Sequence, residues 1–104
     1  AAAAAIQVAR GEADAAIVID GAGLGSTIAA NKVAGARAAM CLNETLARYA
    51  RQHNGANVLA LGATLVTRDQ ATAIVDIFLG TPMREPRYIR RLAKIRDLET
   101  RSRG

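Results

Sequence analysis

Asp20 closes a short apolar run, Ile17-Val18-Ile19, and is followed by Gly21, Gly23, Gly25 and Ser26. An acid at the end of a buried strand can act as a general base, removing a proton beside a carbonyl, when burial raises its pKa toward neutrality. The same acid can instead cap the following turn through backbone N–H groups, which lowers its pKa and weakens it as a base. Glycines at alternate positions leave no side chains in the way, so backbone N–H groups can point at one spot. With a helix N-terminus behind them, they form a site for a phosphate or a developing oxyanion. The turn is not a Walker motif, because no Gly-Lys-Ser/Thr follows.

Other groups could join this chemistry. His53 stands beside Asn54; imidazole as a side-chain type can transfer protons near neutral pH, and the place of His53 at a helix end suits a structural or surface histidine equally. Arg87 and Arg91 are four residues apart, so both guanidinium groups fall on one helix face and could grip a phosphate. They could also be part of a solvated basic helix. Cys41 reads as a small core residue, and Tyr49 and Tyr88 as packing residues.

The positioning elements follow from the pattern. Residues 1–10 read as a helix stopped by Gly11, and residues 15–20 as a buried strand. A helix covers 26–32 and a short strand 37–42. Asn43 is an N-cap for a helix with Leu46, Tyr49, Ala50 and His53 on one face, and Asn54-Gly55 suits a left-handed turn at its end. A third strand covers 57–61. Thr67-Arg68-Asp69-Gln70 has the capping-box pattern of a helix running through Leu79, ended by Gly80 and Pro82. Pro86 opens a last helix to about Thr100. Strand–helix alternation predicts an α/β fold, with a parallel sheet covered on both faces.

Size and charge narrow the function. The 104 residues allow one α/β domain, 1–104, with a core of Ala, Val, Ile and Leu, since only 3% of residues are aromatic. A domain this small favours oligomerisation. The net charge of +5 belongs entirely to the basic C-terminal helix and tail, residues 84–104; the remainder is neutral. No apolar run reaches membrane-spanning length. Ala1–Ala5 lacks the basic n-region and processing site of a signal peptide. A single cysteine fits a reducing compartment, so a cytoplasmic protein is expected.

Four blocks then carry a resemblance: Ile17 to Cys41 (IVIDGAGLGSTIAANKVAGARAAMC), Arg51 to Gly62 (RQHNGANVLALG), Ala73 to Pro82 (AIVDIFLGTP) and Pro86 to Ile95 (PRYIRRLAKI). Their order and spacing resemble the ribose-5-phosphate isomerase type B and galactose-6-phosphate isomerase family. The resemblance implies a Rossmann-like three-layer sandwich with a five-stranded parallel sheet, of which three strands are visible here. The family's first strand, with its Asp-His pair, has no counterpart, and an N-terminal strand–helix unit is expected to be missing. Implied further are aldose–ketose isomerisation of a phosphorylated sugar through an enediol(ate), no metal or organic cofactor, and a homodimer or homotetramer. Gly21, Gly23, Gly25 and Ser26 resemble the loop that holds the enediolate oxygens. His53 and Asn54 resemble the pair that assists ring opening and binds the sugar across a dimer interface. Arg87 and Arg91 resemble the phosphate-binding arginines.

Two departures matter. Many members have Cys where this chain has Asp20, and another branch uses Glu where Ser26 stands; Asp20 is the residue of the A-type galactose-6-phosphate isomerase subunit. Thr64 replaces a further family arginine. The expected function is therefore a sugar-phosphate isomerase with Asp20 and His53 catalytic. The alternatives are a non-catalytic sugar-phosphate-binding subunit, working as a hetero-oligomer with a Cys-bearing homologue, and a nucleic-acid-binding module using the basic tail. Scarce aromatics and the neutral remainder count against nucleic acid.

Overall fold

The computed structural model describes residues 1–82 and 86–103. Arg84 and Glu85 of the predicted basic segment lie outside the described residues, as does Gly104. The elements are α1 (Ala2–Ala9), β1 (Ala16–Asp20), α2 (Leu24–Asn31), β2 (Ala38–Met40), α3 (Glu44–Gln52), β3 (Val58–Gly62), α4 (Arg68–Gly80) and α5 (Pro86–Arg103). Every element falls where the sequence predicts it, within a few residues at each end. Helix α2 begins two residues earlier than predicted, and β2 is shorter than its apolar run.

Three parallel strands form one sheet in the order β1-β3-β2. Alternation along the central strand builds two cores, because successive side chains point to opposite faces. Val58 and Ala60 meet Ala5 of α1, Ala30 of α2 and Val18 of β1. Leu59 and Leu61 meet Ala47 and Ala50 of α3 and Ile74 and Phe78 of α4. Helices thus lie on both faces, and small residues let them approach closely. The α/β class expected from the sequence holds, with one correction at the edge strand. On β1, Ile19 is 65% exposed and Ile17 37%, because α3 and α4 cover β3 and do not reach β1.

Helix boundaries have local causes. Asn43 Oδ1 accepts from Leu46 N at 2.8 Å, and Thr67 and Gln70 exchange both bonds of a capping box. Gly11 and Gly55 take left-handed φ values at the ends of α1 and α3. The predicted apolar stripe of α3 needs correction: Ala47 and Ala50 are its buried pair, while Leu46 and Tyr49 are exposed. Helix α5 runs along the amino ends of the strands. There Leu92, Ile95, Arg96 and Glu99 line a cavity of about 440 Å³ with Gly35, Arg37 and Asn57, and Glu99 Oε1 accepts from Gly35 N at 3.1 Å. No helix among the described residues is long and apolar enough to cross a membrane.

Candidate functional site

Asp20 ends β1 at the carboxyl edge of the sheet, opposite Gly62 of β3. Helix α2 has no side-chain cap of its own; its N-cap is Gly23 at φ 80. Asp20 takes over that role from three residues back. Its Oδ1 accepts from the Gly23 amide. Its Oδ2 accepts from Ser26 N at 3.1 Å and from Ser26 Oγ at 2.7 Å. The Ser26 hydroxyl above all, with the two amides, holds the Asp20 carboxyl below its ordinary value, outweighing a smaller opposing effect of desolvation. The anion at the helix N-terminus is therefore the protein's own carboxylate.

The turn is held by close backbone approach. A Cβ on Gly23 would stand 2.8 Å from Met40 Cγ and 3.1 Å from Gly62 N, and its φ is left-handed as well. A Cβ on Gly62 would stand 2.7 Å from the Ala22 carbonyl oxygen. Gly21 and Gly25 are under no such constraint: a Cβ on Gly21 meets nothing within 4 Å, and one on Gly25 meets Asp20 Oδ2 at 3.7 Å. The loop after β3 locks the turn from the other side. Ala63 N donates to Asp20 O at 2.8 Å. Gly21 O accepts from Thr64 N at 3.0 Å and from Thr64 Oγ1 at 2.6 Å.

His53, Asn54, Arg87 and Arg91 gather elsewhere. Helix α3 returns against the strand direction, so His53, its C-cap, lies at the amino edge of the sheet. The strand between the two edges is about 13 Å long. The His53 ring is sandwiched between Tyr49, at 4.6 Å and 14°, and Tyr88, at 4.6 Å and 20°. The Arg87 guanidinium carbon stands 4.7 Å from the Tyr88 ring centre, and that of Arg91 5.3 Å. Arg87 Nη2 also donates to Tyr88 Oη at 2.7 Å, and Asn54 Nδ2 donates to Tyr49 O at 3.1 Å. One copy of the chain thus holds two clusters, one at each edge, with Asp20, Ser26 and the glycines together and His53, Asn54 and the arginines together.

Sequence reasoning missed Gly62, the bonds by which Thr64 locks the turn and the ring stack; it names Thr64 only as standing in place of a family arginine. Gly62 had a readable signal, a glycine closing a strand at a second strand–helix junction. The four-residue spacing of Tyr49 and His53 foretold one contact of the stack. Nothing local foretold Tyr88, 35 positions beyond His53 in the sequence. Cys41 is free and buried, and burial pushes its thiol up to about 11, so it stays a protonated core residue.

The acid and the tightly packed glycine turn stand at one strand–helix junction of a parallel sheet, the edge at which open α/β sheets as a class bind their ligands. Comparison with known proteins narrows the class. The sequence pattern of the Ribose/Galactose Isomerase family matches residues 1–95, and the chain belongs to that family. Ribose-5-phosphate isomerase B of Escherichia coli is 44% identical over 97 residues, covering 93% of this chain and 65% of the relative. The chain thus spans about two thirds of the length of that relative, and 53% of the Mycolicibacterium paratuberculosis ribose-5-phosphate isomerase B, to which it is 43% identical. Among solved structures, the type B ribose 5-phosphate isomerase of Trypanosoma cruzi superposes with a TM-score of 0.95 at 38% identity, covering 97% of this chain and 67% of that one. The Mycoplasma genitalium ribose-5-phosphate isomerase B with bound ribulose-5-phosphate superposes with a TM-score of 0.91 at 40% identity, covering 95% and 66%.

Proposed function

We propose that the chain binds a pentose 5-phosphate and works in its aldose–ketose isomerisation. The observation that carries this is the glycine turn at the head of α2, packed against Gly62 and Met40, in a chain whose relatives include an isomerase with bound ribulose-5-phosphate. Leu24 and Gly25 lie in the first turn of α2, where amides have no partner within the helix. They, with the open face of Gly21, are the donors available to an enediolate oxygen. A base takes the C2 proton of the open-chain aldose, negative charge develops on the carbonyl oxygen, the hydroxyl proton on O2 passes to O1, and the base returns its proton to C1 as the C2 carbonyl forms. Asp20 stands where the family resemblance puts the proton-transfer group. It can accept a proton when its bonds to Ser26 are exchanged for bonds to substrate. His53 transfers a proton to the ring oxygen as the sugar opens, Asn54 binds a hydroxyl, and Arg87 with Arg91 grips the phosphate.

The two clusters lie at opposite edges of one sheet, farther apart than a five-carbon phosphate can bridge. A symmetric assembly resolves this when one copy presents its glycine turn to the His53 edge of another. Sedimentation at micromolar concentration should give a dimer or larger; a monomer would contradict the composite site.

The decisive test is isomerisation of ribose 5-phosphate by the full-length protein and its Asp20→Asn variant. Asn is close in shape and keeps one acceptor oxygen for the turn, but it loses the second acceptor and cannot take the proton. Loss of turnover with retained binding supports Asp20 as base, and full activity removes it. One observation favours a second reading, a binding subunit without turnover of its own. The three hydrogen bonds on Asp20 depress its basicity. Under that reading the parent is inactive, and Asp20→Cys restores a proton-transfer group.

A further inference from the structure

Tyr88 is only 7% exposed and touches His53, Arg87 and Arg91 of the amino-edge cluster. Its ring stacks on His53 at 4.6 Å, lies 4.7 Å from the Arg87 guanidinium carbon and 5.3 Å from that of Arg91, and its hydroxyl accepts from Arg87 at 2.7 Å. Tyr49 covers His53 as well. An imidazole with stacked ring neighbours can slide in its plane but cannot tilt without losing one of them. Its nitrogens lie in that plane, so stacking covers the ring faces and leaves the edge for hydrogen bonding. The two arginines repel each other across one helical turn, and the electron-rich ring beside them offsets that repulsion.

We propose that Tyr88 is a positioning residue that sets the plane of the His53 imidazole and preorganises Arg87 and Arg91 as a two-pronged phosphate clamp. The inference rests on the sugar-phosphate reading above and adds to it the residue that joins the proton-transfer and phosphate-binding groups. A packing role would be satisfied by any apolar side chain of similar size. The positioning role requires an aromatic ring.

His53 is the single histidine of the chain, so its imidazole proton resonances report on the stack without assignment work. The experiment compares the full chain with Tyr88→Phe and Tyr88→Leu, by proton NMR of the imidazole and by calorimetric titration with ribulose 5-phosphate. Tyr88→Phe keeps the ring; the His53 resonances should stay near their parent positions and affinity should fall about threefold, from the lost bond to Arg87. Tyr88→Leu removes the ring; the resonances should move downfield as ring-current shielding is lost, and affinity should fall about tenfold. Tyr88→Met carries the same expectation should the Leu variant fail to fold. Unmoved resonances without the ring, or binding by the Leu or Met variant as tight as by the Phe variant, would overturn the inference and leave the sugar-phosphate reading standing. No binding by the parent chain would overturn both.

Discussion

The two edges of the sheet are built by different means. At the carboxyl edge, the turn from Asp20 to Ser26 is made of backbone, with side-chain bonds spanning three and six residues. Its geometry is enforced by Gly23 and the facing Gly62, which leave no room for a methyl group. At the amino edge, the cluster is made of side chains from α3 and α5, held by ring faces and cations at 4.6–5.3 Å. Substitutions should therefore differ in kind: the carboxyl edge should lose fold stability, and the amino edge should lose ligand affinity at nearly constant stability.

The largest effect is expected at Gly23. A Cβ there meets backbone at 3.1 Å and the Met40 side chain at 2.8 Å, in a left-handed conformation. Overpacking and backbone strain together should make Gly23→Ala unstable by about 3 kcal/mol, and Gly62→Ala should follow it closely. Denaturant unfolding measures both. If Gly23→Ala unfolds at the parent midpoint, the carboxyl edge is not the rigid half.

Next come the arginines. Arg87→Ala or Arg91→Ala should weaken sugar-phosphate binding by about 1–3 kcal/mol, the range for losing a charge-assisted bond, while Arg101→Ala should change little. Calorimetry separates these. Equal losses at all three would make α5 a diffuse basic surface and remove the contrast between the edges.

Asp20 gives a smaller, pH-dependent effect. Its folded pKa lies below the ordinary 3.8, so folding releases a proton in acid. The stabilisation is complete above the unfolded value and is lost as pH falls through the folded one. Asp20→Asn should melt below the parent at pH 7, and the gap should close as the pH falls below about 4. A gap independent of pH would mean that the charge of Asp20 contributes nothing to holding the turn.

This difference also sets what could be read from the sequence. The capping box at Thr67, the Asn43 cap, the Gly55 turn and the three strands depend on neighbours a few residues away, and each appears in the sequence as a local pattern. The glycine turn was legible for the same reason, including the two roles open to Asp20. The exposure of Ile17 and Ile19 was not, because an apolar strand looks the same whether one face is covered or two. Leu46 and Tyr49 keep helical spacing with Ala50, yet the face of α3 that meets Ile74 and Phe78 of α4 carries Ala47 and Ala50, and spacing alone does not say which face a neighbouring helix will cover. The Tyr88 stack depends on where α5 returns, which no local pattern records.

The smallest stability effect should come from the two unconstrained glycines, and it separates scaffold from ligand contact within the turn itself. A Cβ on Gly21 meets nothing within 4 Å, and Gly21 is not in the left-handed region. Gly25 sits inside α2, where its Cβ would make an ordinary 3.7 Å contact with Asp20 Oδ2. Replacing a helical glycine by alanine reduces the freedom of the unfolded chain, so Gly25→Ala should raise stability by about 0.5–1 kcal/mol and Gly21→Ala should leave it nearly unchanged. Neither residue is needed to build the fold. If the turn receives substrate oxygens on its open face, a methyl group there occupies the space an enediolate would take. Both variants should then lose sugar-phosphate binding or turnover while melting at or above the parent temperature. Parent-like binding and turnover in both would mean that the open face of the turn meets no ligand, and that Gly23 alone explains why the turn is made of glycine.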